Sequence, residues 1–147
     1  MKRTVGMTLV VAGLLFAADK ETKVKMQDLP AAVQAAVKEQ SKGATLRGLT
    51  KEVENGKTLY EAELRVDGHG KDVTFDADGK IVSVEEEVAL ESIPAAAREA
   101  IQKAVGKGKL LMLELVTEGG SVFYEAHIRS GGKTSEVKVD ASGKTVP

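Results

Sequence analysis

Two short strings in this chain carry the residue types of a metal loop. Residues 75–80 read FDADGK and residues 139–144 read VDASGK. A helix–loop–helix calcium site takes acidic or amide ligands at loop positions 1, 3 and 5, glycine at 6 and glutamate at 12. Counting from Asp76 puts Asp78 at position 3 and Glu87 at position 12, but Lys80 at 5 and Ile81 at 6. The glycine comes two places early, the flanks alternate like strands, and Ser142 takes the place of Asp78 in the second string. A tight turn uses every residue instead. The first acid accepts bonds from nearby amides and the glycine takes positive φ. A hairpin turn is therefore expected in both places, with Asp76 and Asp78 only weak candidates for metal ligands.

Other chemistry is sparse. With two His and no Cys, disulfides, thiolate nucleophiles and cysteine-ligated zinc are excluded. His69 sits in Gly68-His69-Gly70, a loop tip, and His127 lies on a strand beside Glu125 and Arg129. A metal centre or a nucleophilic triad needs converging partners. Neither histidine shows them in sequence, so both are expected on the surface. The run Glu85-Glu86-Glu87 with Glu91 reads as a solvated segment. Paired carboxylates for glycoside chemistry are disfavoured, because the acids alternate with lysines as on a surface. An enzyme would require a buried titratable cluster.

What must position these residues is a duplicated unit. Sliding the chain by 64 residues aligns 29–83 with 93–147 without a gap, at 19 identities in 55 pairs. Pro30-Ala31-Ala32 meets Pro94-Ala95-Ala96, Tyr60-Glu61-Ala62 meets Tyr124-Glu125-Ala126, and Asp76 and Gly79 meet Asp140 and Gly143. Each copy opens on a helix. Asp28 and Ser92 stand as polar caps ahead of an early proline, and Leu29, Val33, Ala36 and Val37 match Ile93, Ala97, Ala100 and Ile101 as one apolar stripe. The period then falls to two. Tyr60, Ala62, Leu64 and Val66 share one face of a strand; Leu59, Glu61, Glu63 and Arg65 share the other. Phe123, Glu125, His127 and Arg129 repeat that second face. Partner strands are expected at Leu46–Val53 and Leu110–Thr117, joined through Asn55-Gly56 and Gly119-Gly120, both preferred hairpin dipeptides. A third strand follows at Lys71–Phe75 or Ser135–Val139, and a fourth from Lys80 to about Val88. The second copy has only a stub of that fourth strand.

The 147 residues suit one domain or two small ones. Charged residues at 29% and hydrophobic residues at 42% are ordinary for a globular chain, which argues against wholesale disorder. A net charge of −1 leaves no footprint for nucleic acid. Residues 1–18 stand apart: Lys2 and Arg3, an apolar run from Val5 to Phe16, then Ala17-Ala18 before Asp19. That is the pattern of a secretory signal peptide, too short for the ~20 residues of a membrane span. The remaining chain, without Lys2 and Arg3, has 19 basic and 22 acidic residues, a net charge of about −3. No stable membrane span is expected after cleavage.

LPAAVQAAV at 29–37, YEAEL at 60–64 and DVTFDADGKIVSVEEE at 72–87 together resemble the PepSY-like modules of bacterial secreted proteins. More narrowly, they resemble the β-lactamase-inhibitor-like, PepSY-like group. IPAAAREAI, YEAHI and EVKVDASGK match the same motifs in the second copy. His127 replaces the glutamate found at Glu63 in the first. The resemblance implies an α+β fold of two tandem repeats, 28–88 and 92–147, each with one helix on a four-stranded antiparallel sheet. It also implies export and a binding or inhibitory role without catalysis or cofactor. The expectation is a periplasmic or secreted module that binds an extracytoplasmic protein or peptide and inhibits a secreted enzyme. Its candidate surface is Leu59, Glu61, Glu63, Arg65, Phe123, Glu125, His127 and Arg129. A divalent-cation-binding or envelope stress protein using its acidic turns is the alternative.

Overall fold

The structure, a computed structural model, describes residues 20–54 and 56–147. The segment 1–18, read above as a signal peptide, and Asn55 of the first hairpin turn lie outside the described residues. Helix α1 (Ala31–Gln40) and helix α2 (Ala95–Val105) each start directly after a proline, Pro30 or Pro94, which serves as N-cap without a side-chain cap bond. The caps expected at Asp28 and Ser92 are not formed. Both residues instead close short 3-10 turns, Met26–Asp28 and Leu90–Ser92. Asp28 Oδ2 accepts from the Lys25 amide at 3.2 Å, and Ser92 Oγ donates to the Ala89 carbonyl at 2.7 Å. The reason is the proline: the residue before it is held extended, and Leu29 (ψ 151°) and Ile93 (ψ 161°) separate turn from helix.

Eight strands follow the alternating segments: β1 (Lys20–Lys23), β2 (Thr45–Glu54), β3 (Lys57–Val66), β4 (His69–Asp76), β5 (Ile81–Glu87), β6 (Lys109–Glu118), β7 (Ser121–Ser130) and β8 (Lys133–Val139). They form one antiparallel sheet in sequence order. This departs from the expectation of two separate four-stranded sheets. Strand β5 pairs with β6 through Ser83↔Glu118, Glu85↔Val116 and Glu87↔Glu114. An exposed edge leaves a row of unpaired amides and carbonyls, and two such edges satisfy each other here. The acidic run 85–87 is accordingly part of an interior strand, in which Glu85 is half-buried while Glu87, like Glu91 beyond it, stays exposed as a solvated segment would. Strand β1, which no sequence pattern announced, pairs with β2 at one end. At the other end the stub adds a Val139↔Thr145 bridge and a bond from the Val146 amide to the Lys138 carbonyl at 3.0 Å.

Both helices lie on one side of the sheet. Val33 and Val37 pack with Tyr60, Ala62, Leu64, Val73 and Phe75, while Ala97 and Ile101 pack with Leu113, Ala126, Ile128 and Val139. The register runs from Val73 to Val84 to Thr117, and from Leu113 to Ala126. Since Thr117 and Leu113 alternate onto one face, the two cores share it.

The recurring turns lock onto this layer. Asp76 Oδ1 accepts the amides of Asp78 and Lys80, and Asp140 Oδ1 those of Ser142 and Lys144. Gly79 (φ 77°) and Gly143 (φ 81°) press on the helices: an added Cβ would stand 2.6 Å from the Ala32 carbonyl oxygen or 2.5 Å from that of Ala96. The hairpin-turn reading of FDADGK holds.

Candidate functional site

Among the described residues no helix covers the other face of the sheet, and all eight candidate residues lie on it. Leu59, Glu61, Glu63 and Arg65 of β3, and Phe123, Glu125, His127 and Arg129 of β7, alternate with the helix-facing side chains. Their surroundings differ. Glu63, Arg65 and Arg129 are exposed, and Glu61 and Phe123 are half-buried. Leu59, Glu125 and His127 are buried, with Glu125 only 1% and His127 7% exposed. The expectation of a surface His127 is thereby corrected, while His69 is exposed in its loop. Burial follows from the neighbouring strands. Glu125 stands between Glu114 of β6 and Lys138 of β8, and His127 between Met112 and Glu136.

Pairing brings carboxylates face to face: Glu63↔Asp72, Asp72↔Glu85, Glu87↔Glu114 and Glu114↔Glu125. Like charges directly opposite are unfavourable, and half-burial weakens their hydration. For Glu61, Asp72, Glu85 and Glu125 this favours the protonated form. Burial, then Asp72 and the nearby glutamates, push Glu61 up to about 8. Burial followed by Glu114 and Glu125 raises Glu85 to about 7, and burial with Glu114 raises Asp72 to about 6. Burial also lifts Glu125 against the pull of Lys138.

Two cationic groups of the second repeat, His127 and Lys138, stand against these carboxylates. His127 Nε2 donates to Glu114 Oε2 at 3.2 Å and stands 3.7 Å from Glu125 Oε1; its Nδ1 is 3.6 Å from Glu136 Oε1. The bond to Glu114 raises the imidazole, against the opposing effect of burial. Lys138 Nζ lies 3.5 Å from Glu125 Oε2 and 5.5 Å from the centre of the Phe123 ring. The equivalent positions in the first repeat, 64 residues earlier, are Thr50, Glu61, Glu63 and Asp72, so only the second holds an imidazole. At Gly48, the counterpart of Met112, an added Cβ would stand 3.0 Å from Glu63 Oε2. A glycine there leaves the Glu63 carboxylate its room.

Asp72, Glu85, Glu114 and Glu136 did not emerge from the single-strand pattern. Each sits at an alternating position, but pairing register is what assembles them. Asp76 and Asp78, the weak metal candidates, sit in a turn where Asp76 Oδ1 is already engaged by two amides.

No protein-family model and no curated protein matches the chain. Solved structures do. A BLIP-like protein from Bacteroides fragilis superposes with a TM-score of 0.62 at 20% identity, covering 81% of this chain and 84% of that one. The fold is BLIP-like. A protein assigned to the periplasm of Bacteroides eggerthii reaches a TM-score of 0.68 at 18% identity, over 81% of this chain and 86% of its own. A DUF2874 family protein from Bacteroides uniformis reaches 0.65 at 18%, over 80% and 86%. At such identities the BLIP-like likeness is one of architecture. It agrees with the α+β fold read from the PepSY-like motifs. No helix among the described residues is long and apolar enough to cross a membrane.

Proposed function

We propose that the chain is an exported, non-catalytic binding module of the periplasm or the extracellular space. Its helix-free sheet face takes a basic segment of another extracytoplasmic protein or peptide, with inhibition of a secreted enzyme as the outcome. The observation that carries this reading is the face itself: a sheet of eight strands, both helices on its far side, and opposed carboxylates along its middle. A basic segment would relieve their mutual repulsion, and electrostatic complementarity of this kind sets partner choice and association rate. The signal-like start and the periplasmic assignment of the Bacteroides eggerthii neighbour support the location. The buried titratable cluster that catalysis would require is present. However, both ring nitrogens of His127 face carboxylates, not a hydroxyl it could activate.

The test is retention of a partner from periplasmic extract on the immobilised chain 20–147. Retention is expected at low salt, with loss on Glu63→Lys or at about 0.5 M NaCl, where charge pairs are screened. A partner held equally by wild type and Glu63→Lys would defeat the reading, as would none at all.

A further inference from the structure

The Glu125 carboxylate is 1% exposed, yet neither of its oxygens has a hydrogen-bond partner. Its nearest cationic groups, Lys138 Nζ at 3.5 Å and His127 Nε2 at 3.7 Å, stand at ion-pair distance only, and a buried carboxylate held so loosely is costly unless something else binds it. One ligand atom each from Glu125, His127 and Glu136 falls within 4.8 Å of the others. We propose that Glu125, His127 and Glu136 form a binding site for a divalent metal ion of the zinc class, oriented by Glu114. This goes beyond partner recognition and stands independently of it.

The donor set decides the class of ion. One imidazole nitrogen with two carboxylates suits zinc and its first-row neighbours, whereas calcium takes oxygen alone. The spacing is also near that of a coordinated set. Four donors about 2.1 Å from an ion stand roughly 3.4 Å apart, and Glu136 Oε1 is 3.6 Å from His127 Nδ1. With Nδ1 on the metal, Nε2 donates to Glu114 Oε2 at 3.2 Å, the carboxylate contact that fixes a metal-bound imidazole. Glu125 Oε1 stands 3.7 Å from Nε2, on the Glu114 side of the ring, and reaches an ion on Nδ1 by turning its carboxylate, while Oε2 stays toward Lys138 at 3.5 Å. Charge agrees. Glu114, Glu125 and Glu136 against Lys138 leave two negative charges uncompensated beside a neutral imidazole, and one dication cancels them. Glu136, at the rim, gives the ion its way in. The first repeat has Glu63 in place of His127 and is not expected to bind in this way.

Calorimetric titration of the chelator-treated chain 20–147 with zinc chloride at pH 7 tests the site, run in two buffers of different ionisation enthalpy. The expected result is one equivalent bound with a Kd of about 1 μM or tighter, with net proton release because the ligands bind only in their deprotonated forms. A rise in Tm should accompany binding. Glu125→Gln and Glu136→Gln should each weaken binding by about tenfold or more, and Glu114→Gln by a factor in the range of about 10–100. His127→Gln should abolish it. Asp76→Asn should change nothing, and calcium in excess should not compete. Circular dichroism of each variant separates lost binding from lost fold, and Glu136→Gln, at the rim, is the variant least able to unfold the chain. Absence of saturable binding below about 100 μM zinc would overturn the proposal. So would a folded Glu136→Gln that binds as wild type, or equal competition by calcium.

Discussion

At the scale of single residues, the chain separates acids that serve the backbone from acids that burden it. Asp76 and Asp140 accept turn amides, and the Ser142 hydroxyl adds a 2.6 Å bond that holds Asp140 below the usual carboxylate range. Glu125 is the opposite case, a carboxylate withdrawn from water with only the longer ion pairs to Lys138 and His127 in return. Because its environment favours the protonated form, a neutral isostere removes a cost present only at higher pH. Glu125→Gln is expected to raise stability by about 1 kcal/mol at pH 8 and by much less at pH 5, read by urea denaturation at both values. Equal stability of the two proteins at pH 8 would contradict this account. The alternation at 59–65 and 123–129 was enough to place each set of side chains on one face of its own strand. It could not reveal that His127 is buried, because its cover comes from β6 and β8.

Between elements, the contacts that matter most are those of turn on helix and helix on sheet. Gly79 and Gly143 combine positive φ with a helix carbonyl where a Cβ would go, while Gly56 and Gly68 have positive φ and open space. Alanine at either of the first pair should cost about 2 kcal/mol or more, against roughly 1 kcal/mol at Gly68, where only the backbone conformation is strained. Thermal melts of Gly79→Ala beside Gly68→Ala measure the difference. The helices themselves anchor separate clusters, Val33 and Val37 in one and Ala97 and Ile101 in the other. Ile101→Ala should cost about 3 kcal/mol. Its effect should add to that of Val37→Ala within about 0.5 kcal/mol, as sites without shared partners do. A larger coupling in the double mutant would show that the sheet transmits strain between the halves. The apolar stripes made these helices legible. The 3-10 turns before them were hidden because Asp28 and Ser92 look like caps, and only the extended residue ahead of each proline rules that out.

For the whole molecule, the fused sheet has an electrostatic consequence. Glu61, Glu85 and Asp72 are raised to about 8, 7 and 6 from ordinary carboxylate values. The folded state then binds more protons than the unfolded one as pH climbs past the unfolded carboxylate values. Stability is complete below those values and is lost as pH rises through about 6 to 8. His127, also raised, acts in the same direction: its contribution is present below the ordinary histidine value and lost above its folded one. The Tm should therefore fall by roughly 5–10 °C from pH 5 to pH 8 at low salt. Part of the loss should return at about 0.5 M NaCl, where repulsion is screened. A Tm that rises with pH over this range would mean that the carboxylates of the open face are paired or hydrated.

The sequence by itself determined the duplication, the helix and strand segments, the turns at Asp76 and Asp140, and which residues share a strand face. All of these rest on local periodicity and turn chemistry, which act within a few residues. Only the tertiary structure decided that the repeats join edge to edge through β5 and β6, that Glu114, Glu125, His127 and Glu136 meet, and that Glu125 is withdrawn from water. Those outcomes depend on register between strands. A shift of one residue would have turned every one of those side chains to the other face.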